Sequence, residues 1–307
     1  MNSRSIAIGF AVPILLGLPG YAAEELNTAR IEAVTGLKGT WNAMERVFKV
    51  TRPRNDVPIR VDAWTMPPFM GLTSWAAFMP GGKAEAMVMS DLVLFEDEVN
   101  PVMSAALDGG LSVTALHNHF IFDEPKVFFV HIGGEGTVEQ LATGVKAALT
   151  RVDEIRATQK QPAKSFGRAI PTPSTIDAAP LATILGARPQ ARDGMAKFVI
   201  GRTARMECGC EVGAEMGVNT WAAFAGTPDD AIVDGDFAVL EDELQPVLKS
   251  LRTEGINIVA IHHHMTHETP RTLFLHYWGR GAAEALARSL KKTLEIQASV
   301  KPSVALP

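Results

Sequence analysis

Cysteine is nearly absent, with two in 307 residues, Cys208 and Cys210, and both sit in one Cys-Gly-Cys turn. Two thiols that close together cannot staple distant loops, so a disulfide framework is excluded. In an oxidising compartment they make either a strained local disulfide or a metal-ligand pair. The first half of the chain offers Asp62 and Trp64 at the matching places, so whatever the thiols do is not duplicated. A basic excess is also missing, because 29 Lys and Arg face 34 Asp and Glu for a net charge of −5. That removes the positive stripe that nucleic-acid binding needs. No serine-nucleophile elbow, phosphate-cradling loop, dinucleotide fingerprint or His-Glu-x-x-His helix is present, which removes several common enzyme classes.

Past the first twenty residues, no apolar run is long enough to cross a bilayer. The start itself has Arg4, an apolar run over 6–18, and small residues Gly20 and Ala22. That layout predicts a secretory signal peptide over 1–22, cut after Ala22. No cysteine follows the cut to carry a lipid. The expectation is a periplasmic or secreted protein with no integral membrane segment in the mature chain.

What the sequence does contain is one unit written twice. Thr73-Ser74-Trp75-Ala76-Ala77-Phe78 returns as Asn219-Thr220-Trp221-Ala222-Ala223-Phe224, and the segment from Asp91 to Pro101 returns from Asp236 to Pro246. Ala115-Leu116-His117-Asn118-His119 returns as Ala260-Ile261-His262-His263-His264, and 125–131 as 270–276. Gly36, Phe48 and Arg52 align more weakly with Gly186, Phe198 and Arg202. A first module over 23–157, a surface linker over 158–176, a second module over 177–298 and a tail over 299–307 follow, each module long enough to bury its own core.

Periodicity predicts a helix over 26–34, strands over 46–51, 59–63, 72–79 and 87–95, and a helix over 98–107 that ends at Gly109 and Gly110. Strands over 111–119 and 126–132 form a hairpin, and a helix over 134–156 closes the module. Without regular strand-helix-strand units, the class is α+β: two homologous modules, each an antiparallel or mixed sheet with helices on one face.

His117 and His119 are two apart on a strand, so both rings point to one face, and His262 and His264 repeat the arrangement. All eight histidines fall in or between the two matching segments. Such a pair needs further ligands, and His131, His276, Glu96 and Glu241 are the candidates, the two glutamates also as general bases for a metal-bound water. Pairing His119 with Lys126 sets His131 opposite Thr114, on the other sheet face and about 10 Å from His117, which makes a positioning role as open as a ligand role. Asp123, Glu124, His267 and Glu268, in the loop after each pair, are further donors. Trp75, Trp221 and the methionines read as core.

These residues resemble the LppY/LpqO family, a lipoprotein-like domain of unknown function present here as two tandem copies. The resemblance rests on the Trp-Ala-Ala-Phe strand, Glu-Asp-Glu-Leu-x-Pro, and His-His-His…His-Tyr-Trp-Gly in the second copy. The first copy departs with His117-Asn118-His119 and His131-Ile132-Gly133, and the missing lipid-attachment cysteine departs from the lipoprotein anchor that the family name implies. The family implies no reaction.

The leading expectation is an exported divalent-metal protein, with zinc first and other first-row metals after it, used for hydrolysis or for ligand capture. The alternatives are a copper-binding or copper-sequestering protein using His263, His264 and Met265, and a metal-free module for a small-molecule ligand. Whether there are two sites or one shared site, and the oligomeric state, are not fixed by the sequence.

Overall fold

Each copy of the repeat folds into the same run of elements, and the computed structural model describes them over residues 26–301. The expected signal peptide lies outside the described residues. The first module runs α1 (Thr28–Thr35), β1 (Gly39–Asn42), β2 (Val47–Pro53), β3 (Arg60–Val61), β4 (Trp64–Thr65), β5 (Thr73–Pro80), β6 (Ala86–Phe95), α2 (Glu96–Asp108), β7 (Ser112–His117), β8 (Asp123–Glu124), β9 (Val127–Gly136) and α3 (Val138–Thr158). The second runs α4 (Ala178–Leu185), β10 (Pro189–Arg192), β11 (Met195–Gly201), β12 (Ala204–Arg205), β13 (Glu211–Val212), β14 (Asn219–Gly226), β15 (Ala231–Leu240), α5 (Glu241–Thr253), β16 (Asn257–His262), β17 (Thr272–Gly281) and α6 (Ala283–Ser299).

The long strands of both modules form one twelve-stranded sheet in the order β1-β2-β5-β6-β9-β7-β16-β17-β15-β14-β11-β10. Every neighbouring pair is antiparallel. The order is a palindrome about the β7–β16 seam, where Leu116 faces Ile261. Strand alternation sends Val130, Ile132, Leu116, Ile261 and Leu275 to one face, where they pack with Val102, Leu141, Val247 and Leu290 of the helices. These residues form one continuous core across both copies, so the halves are not separate bodies. The class is α+β, with the six α-helices of the described residues belonging to this layered arrangement.

The opposite face is only partly covered. In the first module, Val57, Ile59, Met66 and Leu72 of the excursion between β2 and β5 pack on Val93, Phe95, Val127 and Phe129 of the sheet in a small second core. The strand expected over 59–63 is present only as the two residues of β3, and the short strands β4 and β8 and the edge strand β1 are elements that the apolar period does not show. Strand β9 runs on to Gly136, and α3 starts only at Val138, because Thr137 and Gln140 cap each other reciprocally, at 3.2 Å in both directions. The end of the linker is stitched to the second module: the Gly226 N–H donates to Ser174 Oγ at 2.9 Å, and Ile176 is buried.

Two helix amides clamp the seam. Asn100 on α2 reaches into the other module, accepting from the Ile258 N–H at 2.7 Å and donating to its carbonyl at 3.1 Å. Gln245 on α5 does the same to Val113, at 2.9 and 2.8 Å. Val113 and Ile258 are the residues just before a β-bulge in β7 and in β16. A bulge leaves strand groups without ladder partners, and each module supplies the partners for the other's bulge.

Sheet register also corrects the weaker part of the repeat alignment. Val50 pairs with Ala76, and Phe198 with Ala222, so Phe198 is the counterpart of Val50. Arg202 then corresponds to Arg54, two residues beyond Arg52. Arg54 holds Glu98 and the Val93 carbonyl, as Arg202 holds Glu243 and the Ala238 carbonyl.

Candidate metal centre

The bulge decides where the third histidine goes. At the far end of the β7–β9 pair, Ser112 faces Gly133 and Val113 faces Ile132, the register that would set His131 opposite Thr114. Thr114 is the bulged residue, and past it Ala115 faces His131 and His117 faces Phe129. One extra residue therefore turns His131 onto the His117 face, and the ring centroids lie 5.1 Å apart, which overturns the expectation of opposite faces and about 10 Å. In the second module Ala260 faces His276 past the same bulge, and the His262 and His276 rings stack at 4.7 Å and 7°.

The same register brings in a residue that the motif reading passed over. Asp91 pairs with His131 and Asp236 with His276 across the neighbouring strand, so a carboxylate joins each imidazole cluster. Asp236 is 1% exposed. Its Oδ2 lies 3.3 Å from His264 Nε2 and 3.8 Å from His262 Nε2, and the two Nε2 atoms are 3.2 Å apart. Among the described residues, Asp236, His262 and His264 are the group whose ligand atoms all lie within 4.8 Å of one another. Both aspartates stand at the start of the segments that repeat as Asp91 to Pro101 and Asp236 to Pro246; that duplication was the available signal.

Hydrogen bonding fixes which lone pairs converge. His264 Nδ1 is 3.0 Å from the Gly217 carbonyl, so that nitrogen carries the proton and Nε2 presents its lone pair. The His264 ring lies flat on Phe274, with centroids 3.5 Å apart and planes 12° apart, and His119 lies on Phe129 at 3.3 Å and 6°. The buried phenyl of each module is thus a platform that sets the second imidazole of each pair. His276 Nδ1 contacts the Gly235 carbonyl at 3.2 Å.

Burial, followed by the charges of His276, His264 and His263, pushes the His262 imidazole down to about 4, partly opposed by the Phe274 backbone. It is neutral at pH 7, the form that ligates a metal. Burial raises the Asp236 carboxyl against the pull of His276 and His264. The first module matches: burial raises Asp91 against His131, His119 and His117, and burial lowers His117 and His119. The same two atoms lack hydrogen-bond partners in each copy: Oδ1 of Asp91 and Asp236, and Nδ1 of His117 and His262. Buried polar atoms without partners are costly, and the same positions carry that cost in both copies.

The remaining candidates sit elsewhere. Glu96 and Glu241 are the first residues of α2 and α5. Glu96 faces Lys126, Asp97, Asp123 and Lys164, its carboxyl raised chiefly by burial, and Glu241 pairs with Arg271 at 3.5 Å. Neither has an ion pair or hydrogen bond to an imidazole among the described residues. Asp123 and Glu268 are buried braces, accepting from the Val127 N–H at 2.7 Å and the Thr272 N–H at 2.9 Å. Trp75 and Trp221 are half-buried beside Asp91 and Asp236 rather than in the core, each with a lysine over its ring, Lys49 at 4.2 Å and Lys197 at 4.3 Å.

A module difference beneath the site is compensated. In the first copy the Ser90 hydroxyl donates to the Trp75 carbonyl at 2.6 Å. In the second, Gly235 stands at that place and the Tyr277 hydroxyl donates to the Trp221 carbonyl at 2.9 Å. A Cβ on Gly235 would come within 2.1 Å of that hydroxyl.

No curated protein matches this sequence. The crystal structure of a trimeric bacterial microcompartment shell protein, PduB, matches at 10% identity over 84% of this chain and 89% of that chain, with a TM-score of 0.18, too low to carry an argument about fold or assembly. A family model described as a Domain of Unknown Function (DUF1259) matches residues 29–151 and again 179–296. That duplicated match covers the two modules the sheet unites, and the chain belongs to this family as two tandem copies of a domain whose function is unknown.

Proposed function

We propose that this is an exported metal-binding protein in which Asp236, His262 and His264 hold a first-row divalent ion, zinc first. The observation that carries the reading is the convergence of three acceptor atoms at 3.2, 3.3 and 3.8 Å. Neutral imidazoles and a carboxylate repel at those separations unless a cation or proton lies between them. Ligands about 2.0–2.1 Å from a tetrahedral zinc are about 3.3 Å from one another, which two of the three separations match, the third being 3.8 Å. Three protein ligands with an exposed His264 rim leave a fourth position for water, the arrangement of hydrolytic centres. His276, stacked on His262, orients that ring from outside the trio.

The first module's Asp91, His117, His119 and His131 form the corresponding second site, with a wider spread of donors. Copper in place of zinc would draw on the same imidazoles. The test is metal content by plasma mass spectrometry on tag-free protein, comparing wild type with His262→Ala/His264→Ala, Asp236→Asn and His117→Ala/His119→Ala. Stoichiometric metal lost in the second-module variants supports the site and names the ion. Wild type that stays empty after reconstitution refutes it and leaves the metal-free binding module.

A further inference from the structure

The hairpin of β12 and β13 carries the two cysteines at its tip. The Met206 N–H donates to the Cys210 carbonyl at 2.9 Å, and the Gly209 N–H donates to the Met206 carbonyl at 2.8 Å. Gly209 has φ +80, the left-handed conformation that lets the turn reverse between the thiols. Cys208 and Cys210 are both free and exposed. The Cys210 N–H points at Cys208 Sγ at 3.4 Å. Hydrogen bonding from the Cys210 side chain and backbone lowers the Cys208 thiol below its usual value, while the same partnership raises Cys210.

The first module is an internal control for structural need. It builds the matching β3–β4 hairpin with Asp62 and Ala63 in the turn, both at positive φ, and no sulfur at all. Being exposed, the thiols fill no core. Two adjacent sulfurs on a preformed turn, brought to one side by the Cys210 N–H to Cys208 Sγ contact, are instead a soft donor pair.

We infer that Cys208 and Cys210 form a second metal site of different chemistry, which takes a soft monovalent d10 ion such as Cu(I) between two thiolates. The imidazole and carboxylate trio suits a harder divalent ion, so the two sites sort metals by donor softness. The turn is tied to the loop that follows His264, because Arg205 and Thr269 exchange N–H···O bonds at 2.8 Å both ways.

The test is anaerobic titration of full-length reduced protein with Cu(I) against a competing bicinchoninate chelator, read also by the ultraviolet sulfur-to-copper charge-transfer band. Wild type and His262→Ala/His264→Ala should each retain one equivalent and show the band. Cys208→Ser/Cys210→Ser should retain none while melting like the wild type. A serine variant that keeps the equivalent, a histidine variant that loses it, or a reduced wild type that never takes it would overturn the assignment. Because the histidine variant is an arm of the titration, failure here is distinguishable from failure of the zinc site.

Discussion

Replacing Asn100 by alanine should destabilise the second module although the residue belongs to the first. Asn100 is 3% exposed, and its amide satisfies both the N–H and the carbonyl of Ile258, itself 1% exposed. Each buried backbone group left without a partner costs about 1–3 kcal/mol, so two would cost about 2–6, and partial entry of water into the vacated space brings the expectation to about 2–4 kcal/mol. Gln245→Ala is the built-in comparison. Its side chain is only half-buried, water reaches the site more easily, and about 1–2 kcal/mol is expected. Urea midpoints measure both values, and hydrogen exchange over 256–262 locates the effect. Because the bulge after Ile258 sets His276 opposite Ala260, Asn100→Ala should also lower zinc retention at the second module. A loss for Asn100→Ala that is smaller than that of Gln245→Ala, or below about 0.5 kcal/mol, would refute the clamp.

Other expectations follow from the same geometry. Zinc at one hundred times its dissociation constant should stabilise the wild type by about 2.7 kcal/mol, a melting shift of about 4–5 °C for a chain of this size, and the shift should shrink in His264→Ala and Asp236→Asn in the same scan. Gly235→Ala should cost at least about 1–3 kcal/mol in urea unfolding, because the new Cβ meets the Tyr277 hydroxyl at 2.1 Å and the Trp221 carbonyl at 2.3 Å. Gly235→Ser with Tyr277→Ile, which installs the first module's Ser90 and Ile132 arrangement, should recover most of that loss. Burial raises the Glu243 carboxyl, but Arg202, the Leu240 N–H and Gln297 outweigh it and hold the group below its usual range. Its stabilisation is therefore present above the unfolded value of about 4.3 and lost as pH falls through the depressed folded value. Unfolding measured against pH should show an acid limb in wild type that is flatter in Glu243→Gln.

The palindromic sheet was half legible in the sequence. Two-residue alternation in the segments around Phe78, Leu92 and Val130 announced strands, and the repeat announced that they come twice. Nothing local says that β7 of one copy pairs with β16 of the other, since both edges read as ordinary half-buried strands. The short strands β4 and β8 have too few residues for any period, and of the strand expected over 59–63 only Arg60 and Val61 pair. At the site, the paired histidines were visible because one face of a strand needs a spacing of two. The place of His131 was not, because Thr114 carries no mark of a bulge, and the amide of Gln245 that clamps the preceding Val113 lies 132 residues away. Asp91 and Asp236 were hidden for the opposite reason: a single aspartate in an apolar strand looks like noise until the neighbouring strand puts a histidine beside it.

The palindrome has one more consequence. A pair of separate identical chains meeting at such a seam would be obliged to carry the same side chains at both centres, so any change would strike twice. Here a covalent strap joins the halves, and each centre is free to drift. His263 stands where the other copy has Asn118, Tyr277 where it has Ile132, and the sulfur-bearing hairpin where it has Asp62 and Ala63. One scaffold can thereby keep a tight three-donor centre on one side of its axis while its twin on the other side is released to become something else.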